Sequence, residues 1–572
     1  MRQVVSGHGA SKGNALGRAR IRLPHALEVA EERIAADAVE DELARLHAAI
    51  DVVRGEMREM RDRLHGALAH EVGEFLDLHA LLLDDPELLQ GLDELIRTGR
   101  YGADYALRLQ RDRLASVFEG MEDAYFRSRI EDIDHVIGRV HAALHRREAE
   151  LQGVAGEILV TDSIAPSEVA ELQAQGVLGI VTAGGSTLSH SAILARSLHL
   201  PMVVDAPQAL QLVNDGDVLM LDGGSGLLVM EPNAEDLRAF KGRQREEKRE
   251  RRQLHRLRRE PSRTRDGVDI RLYANAESRE DVAEAHALGA AGVGLYRTEY
   301  LFLQRPGLPD EEEQFRAYRD LVLGMTGRMV TIRTLDIGAD KADRSGLALR
   351  DEPNPALGLR GVRLSLSRRN VFETQLRAIV RASGYGPLRI LVPMVTHREE
   401  IKAVARLLKR VSGKLRREGH AVADRIPLGA MIEVPAAALA LSTLIDRIDF
   451  LSIGTNDLIQ YLLAADRGNE ALGDLHTPMH PAMLRLLAEV IATAKAHDKP
   501  VAVCGEMAGD ALFTPLLLAL GLEEFSLHPG TLLEVRRAIR AHDLSELRGR
   551  APALLRARGR AGIERWMESI AP

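Results

Sequence analysis

The sequence is poor in cysteine, in aromatic residues and in long apolar runs, and each shortage excludes a class of protein. Its one cysteine, Cys504, rules out an internal disulfide framework and suits a reducing compartment. The chain has no window of about 20 uncharged apolar residues, so we expect no membrane insertion. The N-terminal residues also lack the apolar core of a signal peptide, and we therefore expect a cytoplasmic protein.

Aromatic residues make up only 3% of the chain, so the cores must depend on Leu, Ala, Val and Ile. A formal net charge of −8 argues against general nucleic-acid binding. One segment is strongly basic, with ten Lys and Arg residues between Lys241 and Glu260. Acidic residues interrupt this run and no aromatic residue accompanies it, which favours a solvated helix over a nucleic-acid site.

A chain of 572 residues is too long for one core and indicates three or four domains. We expect an α/β domain made of residues 1–22 and 151–232, with an all-helical subdomain at 23–150 inserted into it. Residues 233–262 are expected to form a linker helix, about 45 Å long. Residues 263–572 form the last domain.

Eight short apolar runs alternate with helical stretches in this last domain. They are Asp269–Tyr273, Gly292–Tyr296, Met329–Ile332, Arg389–Pro393, Leu428–Ile432, Phe450–Ile453, Pro500–Val503 and Glu524–Leu527. Strand–helix alternation repeated eight times predicts a (β/α)8 TIM barrel, whose active site lies at the carboxyl ends of the strands. Because most runs lead directly into charged or polar residues, we expect a site for an anionic substrate and a divalent metal there.

A glycine-rich segment precedes His190 in the α/β domain. Gly184-Gly185 follows a predicted strand, and Ser189-His190-Ser191 opens a predicted helix. Glycines let the backbone approach a ligand closely, and the free N–H groups of a helix start attract phosphate. A neutral imidazole at this position is well placed to receive or hold a phosphoryl group. The alternative is an ordinary, hydrogen-bonded loop histidine.

Arg297, Arg333 and Arg360 lie in separate loops of the predicted barrel. A planar guanidinium binds a carboxylate or phosphate through two parallel hydrogen bonds, which makes each arginine a candidate anion clamp. Structural pairing with barrel acids such as Glu299 or Asp336 is the alternative for each one alone. Three arginines at the same end of the barrel favour a shared anion site.

Glu433 and Asp457 follow consecutive predicted strands. Mg2+ is commonly held by one or two carboxylates together with substrate oxygens and water, and this pair fits it. A soft metal does not fit, because no cluster of cysteine and histidine accompanies the pair. Asp457 could instead cap a helix. Arg467 is a further candidate clamp, or a loop arginine paired to Asp466.

Cys504 ends the seventh apolar run, beside a glycine. Single buried cysteines are usually inert core residues. A thiol at a barrel strand end could instead exchange a proton with a bound intermediate. The residues alone leave both interpretations open.

Taken in order, these segments resemble enzyme I of the bacterial phosphotransferase system, the phosphoenolpyruvate–protein phosphotransferase, over nearly the whole chain. The pattern Gly-Gly-…-Thr-…-Ser-His-…-Ala-…-Ala-Arg around His190 is similar to the phosphohistidine segment of that family. The segments similar to its phosphoenolpyruvate and Mg2+ segments are Gly-Leu-Tyr-Arg-Thr-Glu, Arg-Thr-Leu-Asp-Ile-Gly, Met-Ile-Glu-Val-Pro, Gly-Thr-Asn-Asp-Leu and Asp-Arg-Gly-Asn.

The resemblance implies a two-step reaction. Phosphoenolpyruvate (PEP) would phosphorylate His190 and release pyruvate, and the phosphoryl group would pass to a histidine of the phosphocarrier protein HPr, docked on the helical subdomain. It also implies a homodimer formed through the barrel. We expect no additional N-terminal sensory domain, and this expectation favours the form that serves sugar transport.

The resemblance also implies roles for barrel residues around PEP, the metal and the enolate that is left after transfer. They are Arg297 and Arg333 for the phosphate, Arg467, Asn456 and Asp457 for the rest of the substrate site, Arg360 as support for the pocket, Glu433 and Asp457 for Mg2+, and Cys504 for protonating the enolate.

Some positions depart from the family pattern near His190. Ser186 stands where a basic residue is usual, Leu188 enlarges the run before the histidine, and Ala165 stands where a threonine often bonds it. These departures bear on how His190 is oriented, and none removes a clamp or a metal ligand. Ala339, in the barrel, replaces a usual glycine.

Two other functions compete with this interpretation. A pyruvate phosphate dikinase or PEP synthase shares the phosphohistidine and barrel segments but needs an ATP-grasp domain, for which the helical first 150 residues leave no room. A non-catalytic scaffold that kept the fold would be expected to have lost chemistry-bearing residues, and the chain retains them.

Overall fold

The computed structural model describes residues 2–22, 31–63, 79–119, 124–145, 154–187, 189–303, 307–338, 347, 352–466, 472 and 475–570. The chain divides into two compact units, Met1–Lys248 and Arg249–Pro572. Among the helices that the structure describes, none has both the length and the apolar character needed to cross a membrane.

The first unit contains eight strands and eight described helices, the last of which continues past the unit's boundary at Lys248. In chain order they are β1 (Gln3–Ser6), β2 (His8–Ser11), β3 (Asn14–Arg22), α1 (Val39–Arg63), α2 (Pro86–Arg97), α3 (Ala103–Glu119), α4 (Ala124–Leu144), β4 (Glu157–Thr161), α5 (Pro166–Gln175), β5 (Gly179–Thr182), α6 (His190–Ser197), β6 (Met202–Val204), α7 (Pro207–Leu212), β7 (Val218–Asp222), β8 (Leu227–Met230) and α8 (Ala234–Arg256).

These strands form one mixed sheet in the order β1-β8-β7-β3-β4-β5-β6-β2. Strands β3 and β4 are parallel neighbours, with Arg18 opposite Glu157, although α1 to α4 lie between them in the chain. The four helices are therefore an insertion between two strands that pair with each other in the sheet, as the predicted fold class requires.

The inserted helices share an apolar core with one face of the sheet. Helix α2 shows how the sequence builds it: Leu88, Leu92, Leu95 and Ile96 are spaced by three and four residues and are all buried. They belong to the same apolar cluster as residues of α1, α3, α4 and the sheet. This packing, rather than helix propensity alone, stabilises the block.

The second unit contains eight strands and fourteen described helices. In chain order they are β9 (Arg271–Ala276), α9 (Arg279–Ala287), β10 (Gly292–Tyr296), α10 (Glu299–Leu303), α11 (Glu311–Gly324), β11 (Met329–Arg333), α12 (Gly361–Ser367), α13 (Arg369–Ala382), β12 (Leu388–Val392), α14 (Arg398–Arg417), β13 (Leu428–Ile432), α15 (Pro435–Leu439), β14 (Phe450–Ile453), α16 (Thr455–Leu463), α17 (Pro481–Ala496), β15 (Val501–Val503), α18 (Glu506–Gly509), α19 (Thr514–Ala519), β16 (Glu524–Leu527), α20 (Leu532–Ala541), α21 (Leu544–Leu555) and α22 (Arg560–Ser569).

The eight strands close into a parallel barrel, β9 to β16 in sequence order, with β16 pairing back to β9. The predicted TIM barrel is confirmed, and each predicted apolar run matches a strand to within three residues at either end. Strands β10, β12 and β13 are buried along their whole length. Helices cover a parallel sheet on its outer face, which is why these strands are apolar without alternation.

Buried Arg536 of α20 ties the segment after α8 to the barrel. Its Nη1 donates to the carbonyl oxygens of Leu257, at 2.7 Å, and Leu288, at 3.1 Å, and its Nη2 donates to that of Gly289 at 2.9 Å. Its Nε donates to Ser262 Oγ at 3.0 Å. Residues 257–262 are thus held by the second unit.

Candidate active site

The carboxyl ends of the barrel strands carry most of the residues singled out in the sequence. Arg297 follows β10, Arg333 ends β11, Glu433 follows β13, Asp457 lies in the first turn of α16 after β14, and Cys504 follows β15. Parallel strands that close into a barrel place these ends on one rim. The fold therefore brings residues from distant parts of the chain to one end.

Arg333 is buried between two carboxylates. Its Nη2 donates to Glu299 Oε1 at 3.0 Å, and its Nη1 lies 3.1 Å from Asp336 Oδ2. Burial alone would lower the pKa of Arg333, but the charges of Glu299 and Asp336 outweigh it and raise the pKa. Arg333 Nε and Glu299 Oε2 are buried without a hydrogen-bond partner among the described residues, so both side chains keep capacity for a ligand.

Arg360, which precedes α12, joins two acids of different loops. Its Nη2 donates to Asp336 Oδ2 at 3.1 Å and its Nη1 donates to Asp457 Oδ1 at 3.3 Å. Burial would lower the pKa of Arg360, and the two carboxylates together raise it instead. Pairing with barrel acids, the alternative left open by the sequence, is thus observed for Arg333 and Arg360, within a cluster in which the arginines share Asp336.

Arg297 has a different environment, because its side chain is 40% exposed. Its Nη1 donates to Glu277 Oε1 at 2.5 Å. Glu277 follows β9 and is fixed by its own helix start, where its backbone N–H donates to Asp281 Oδ2 at 2.9 Å. Because part of its guanidinium is exposed to solvent, Arg297 can bind an incoming anion while it keeps its ion pair with Glu277.

Glu433 is fully buried at the end of β13 and accepts a hydrogen bond from the backbone N–H of Met394 at 2.6 Å. Burial, followed by the neighbouring carboxylates of Asp336 and Asp457, raises the pKa of Glu433 to about 8. Three acids that repel one another in a buried site are a hard-oxygen donor set that a divalent cation stabilises. The residues present therefore fit Mg2+, and Glu433 and Asp457 would hold it.

Asn456 and Asp457 open helix α16, whose N-cap residue is Gly454. Asp457 is therefore not the cap that the sequence left as an alternative. The Asn456 side chain forms two hydrogen bonds to Glu506 of the next loop: its Nδ2 donates to Glu506 Oε1 and its Oδ1 accepts from Glu506 N, both at 2.9 Å. This pair fixes the start of α16 against the turn after β15.

Cys504 lies inside the barrel end, where its Sγ donates to the carbonyl oxygen of Ile453 at 3.5 Å. Burial raises the pKa of the thiol to about 11. The side chain is therefore protonated at neutral pH. A neutral thiol is a possible proton donor and not a ready nucleophile.

The first unit positions the backbone of His190 at the first residue of α6. Ser189 caps this helix, its Oγ accepting from Ala192 N at 3.3 Å. Ser191 Oγ donates to the carbonyl oxygen of Ile164 at 2.6 Å, which joins the helix start to the loop before α5. The backbone of this residue therefore lies at a capped helix N-terminus, where the dipole and free N–H groups favour a negatively charged ligand.

The glycine-rich segment before His190 is fixed at both ends. Thr182 Oγ1 donates to the carbonyl oxygen of Gly184 at 2.7 Å, and Arg196 Nη1 donates to that of Thr187 at 2.8 Å. Gly185 has φ +95°, a left-handed conformation that favours glycine. The prediction of a glycine turn between a strand and a helix is confirmed. Leu188, Ala339 and Arg467 lie outside the described residues.

The sequence analysis missed two residues of the barrel end. Tyr461 accepts a hydrogen bond from Arg360 Nη1 at 3.3 Å, and Glu277 holds Arg297. Tyr461 stands one helical turn after Asp457, so the i, i+4 spacing on α16 could have indicated it. Glu277 directly follows the first barrel strand, and its position at the strand end was the available signal.

Comparison with known proteins gives matches along nearly the whole chain. Residues 251–544 match the family described as PEP-utilising enzyme, PEP-binding domain. Residues 6–129 match its N-terminal region and residues 153–226 its mobile domain. A solved structure titled "NMR solution structure of Enzyme I (nEIt) protein using two 4D-spectra" aligns at 29% identity and a TM-score of 0.36, covering 43% of this chain and 99% of that one.

Curated relatives give the same picture over greater length. A phosphoenolpyruvate-protein phosphotransferase of Cupriavidus necator is 44% identical, with 94% of each chain covered. Enzymes of the same name from Geobacillus stearothermophilus and Staphylococcus aureus are 40% and 37% identical, covering 94% and 96% of this chain and 93% and 97% of theirs. The chain therefore belongs to the phosphoenolpyruvate-protein phosphotransferases, a family of PEP-utilising enzymes that transfer a phosphoryl group.

Proposed function

We propose that this enzyme takes the phosphoryl group of PEP onto His190, releases pyruvate, and passes the group to a histidine of the phosphocarrier HPr. The observation that carries the proposal is the cluster of two paired arginines, Arg333 and Arg360, and four buried carboxylates, Glu299, Asp336, Glu433 and Asp457, at the carboxyl end of the barrel. Such a cluster offers guanidinium groups to an anion and oxygen ligands to a hard cation at one place, which is what transfer from an enol phosphate needs.

Substrate binding is assigned to the arginines and the residues that hold them. Arg333, oriented by Glu299 and Asp336, and the half-open Arg297 bind the phosphate of PEP, and Arg467 and Asn456 complete the anion site. Arg360 keeps Asp457 in place through their 3.3 Å contact. Glu433 and Asp457 hold Mg2+, which, when bound, neutralises charge on the phosphoryl oxygens.

The transfer step moves a phosphoryl group between oxygen and nitrogen. A neutral imidazole nitrogen of His190 attacks phosphorus, the P–O bond to the enol breaks, and the enolate of pyruvate remains. Cys504 gives its proton to the methylene carbon of that enolate, which suits a thiol that is protonated at neutral pH. Pyruvate leaves, and the thiolate regains a proton from water.

In the second half-reaction the phosphoryl group passes to the carrier, which docks on the helical block. A histidine nitrogen of HPr attacks the phosphorus on His190, and the P–N bond to His190 breaks as the new one forms. The block of α1 to α4 is inserted between β3 and β4 of the first unit, and we assign the docking of the carrier to it. We place the reaction at the start of PEP-dependent sugar uptake, in an enzyme that forms a homodimer through the barrel.

The proposal is tested by following radiolabelled PEP through both half-reactions. With Mg2+ the protein should take up label that is acid-labile and base-stable, and added HPr should remove it. A chelator should abolish uptake, as should His190→Ala, whereas His8→Ala, which changes an exposed histidine of the same unit, should not. Uptake that survives His190→Ala would contradict the assigned acceptor.

A further inference from the structure

Three metal-ligating side chains converge in the helical block, away from every residue assigned above. Asp104 lies in the first turn of α3, His141 lies in the last turn of α4, and His145 directly follows that helix. Their carboxylate oxygen and ring nitrogens all lie within 4.8 Å of one another. We propose that these three residues form a metal site that binds Zn2+ or another late first-row divalent cation.

Helical spacing places the two histidines on one face. His141 and His145 are four residues apart, and their ring centroids are 4.8 Å apart. Both direct Nε2 at the same atom, Asp104 Oδ1, at 3.4 Å from His141 and 2.9 Å from His145. Ligands of a tetrahedral zinc ion lie about 3.3 Å from one another, given metal–nitrogen bonds of about 2.0 Å. The two nitrogen–oxygen distances lie close to this value.

The nearest described arginine does not contact the carboxylate oxygen on which the two histidines converge. Arg45 lies near Asp104, but its Nη2 contacts the other carboxylate oxygen, Oδ2, at 3.4 Å. Arg45 is held more closely by Glu42, at 2.8 Å. Glu42 and Asp104 together outweigh the one guanidinium, so the group favours a cation.

The site is open enough for a metal to enter and for water to complete its shell. The side chains of Asp104, His141 and His145 are 21%, 16% and 38% exposed. Two imidazoles and one carboxylate select a borderline-soft ion such as Zn2+ and not Mg2+, which prefers oxygen ligands. Binding would join the start of α3 to the end of α4.

The test titrates Co2+ into metal-stripped full-length protein in excess Mg2+, which occupies the barrel carboxylates. The expected result is a tetrahedral cobalt absorption band that Zn2+ displaces, and a rise in thermal unfolding temperature with Zn2+. Asp104→Asn and His145→Ala should each weaken binding at least about tenfold, since loss of a group that merely supports a ligand already costs that much. The double change of His141 and His145 to Ala should abolish the band.

The chain offers a matched control in a two-residue cluster of the same block. His47 Nε2 lies 2.9 Å from Asp93 Oδ1, the same spacing as in the proposed site. His47→Ala should leave the cobalt band and the zinc-induced stabilisation unchanged. Circular dichroism checks folding, and Asp104→Asn keeps the side-chain shape. No band in the wild type, or a band that survives Asp104→Asn or the double change, would overturn the proposal.

Discussion

Charges of both signs are buried together at the barrel end. Each buried charge there is stabilised by the ion pair that it forms. Arg333 forms ion pairs with Glu299 and Asp336, and Arg360 forms ion pairs with Asp336 and Asp457. Attraction within a buried pair offsets the cost of desolvation only while both partners are present. Removal of one arginine therefore leaves an uncompensated acid behind.

We expect Arg333→Met to lower the free energy of unfolding of the barrel by about 3–5 kcal/mol, because Glu299 loses its paired cation. Urea denaturation of the purified variant measures this loss. Arg316→Met is the control, since Arg316 pairs with Glu312 on the surface, and it should cost less than about 1 kcal/mol. Equal losses in the two variants would contradict the account of the cluster.

The thiol of Cys504 should react slowly with iodoacetamide in the native protein. A pKa of about 11 leaves about two orders of magnitude fewer thiolates near pH 8 than a free cysteine has, and burial slows access further. The rate should rise with pH until the thiol ionises. Because the chain has one cysteine, mass spectrometry reports this residue alone. Similar rates in native and guanidinium-unfolded protein would disprove the prediction.

The sequence predicted the chemistry-bearing residues more completely than their partners. Arg333 and Glu433 directly extend or follow apolar strands, so the barrel pattern alone indicated their place. Arg360 bonds to residues 24 and 97 positions away, and no local pattern encodes such contacts. Partners of this kind follow from how the loops fold over the rim, which the spacing of residues does not report.

Among the secondary-structure elements, the turn between β15 and α18 controls the start of α16. Gly505 lies so close to α16 that an added Cβ would stand 1.9 Å from Thr455 Oγ1 and 2.8 Å from Asn456 Oδ1. Both atoms belong to the segment that carries Asp457. A side chain at this position must therefore displace the helix start.

We expect Gly505→Ala to destabilise the barrel by about 1–3 kcal/mol, as overpacking does, and to weaken PEP binding as well. Calorimetry with PEP and urea denaturation measure the two effects. Gly549→Ala is the matched control: Gly549 lies inside α21 with open space around it, and alanine there should stabilise the helix by about 0.5–1 kcal/mol. Normal PEP affinity in Gly505→Ala would show that the turn does not position the site.

Strands could be predicted from the sequence where all of their residues are buried, and less readily where buried and exposed residues are mixed. The barrel strands are unbroken apolar runs, and all eight were recognised in the sequence. The N-terminal sheet gives the harder case: β2 (His8–Ser11) is short, contains glycine and buries two of its four residues. Such a strand is stabilised by pairing with β6, which a local pattern does not reveal.

The molecule as a whole divides into two compact units, and in the proposed reaction the phosphoryl donor and the acceptor histidine belong to different units. The unit Arg249–Pro572 contains the arginine–carboxylate cluster, and His190 belongs to the other unit. We expect a fragment of residues 249–572 to fold and to bind PEP with the affinity of the full chain, but to take up no phosphoryl group. Circular dichroism and calorimetry test this, and a fragment that is labelled by PEP would contradict the assignment of His190.

The same fragment started after Ser262 should be less stable. It would lose the carbonyl oxygen of Leu257 and the hydroxyl of Ser262, both of which accept from buried Arg536. A buried guanidinium that loses such partners costs about 1–3 kcal/mol or more. Denaturation of the two fragments side by side measures the difference, and identical midpoints would show that residues 257–262 do not belong to the barrel.

The central claim is that PEP held at the barrel end phosphorylates one particular imidazole. The most direct measurement is mass-spectrometric mapping of the full-length protein after incubation with PEP and Mg2+, under basic conditions that preserve phosphohistidine. The account predicts one phosphoryl group per chain, located on His190. A phosphoryl group on any other residue, or pyruvate release without a modified His190, would contradict it.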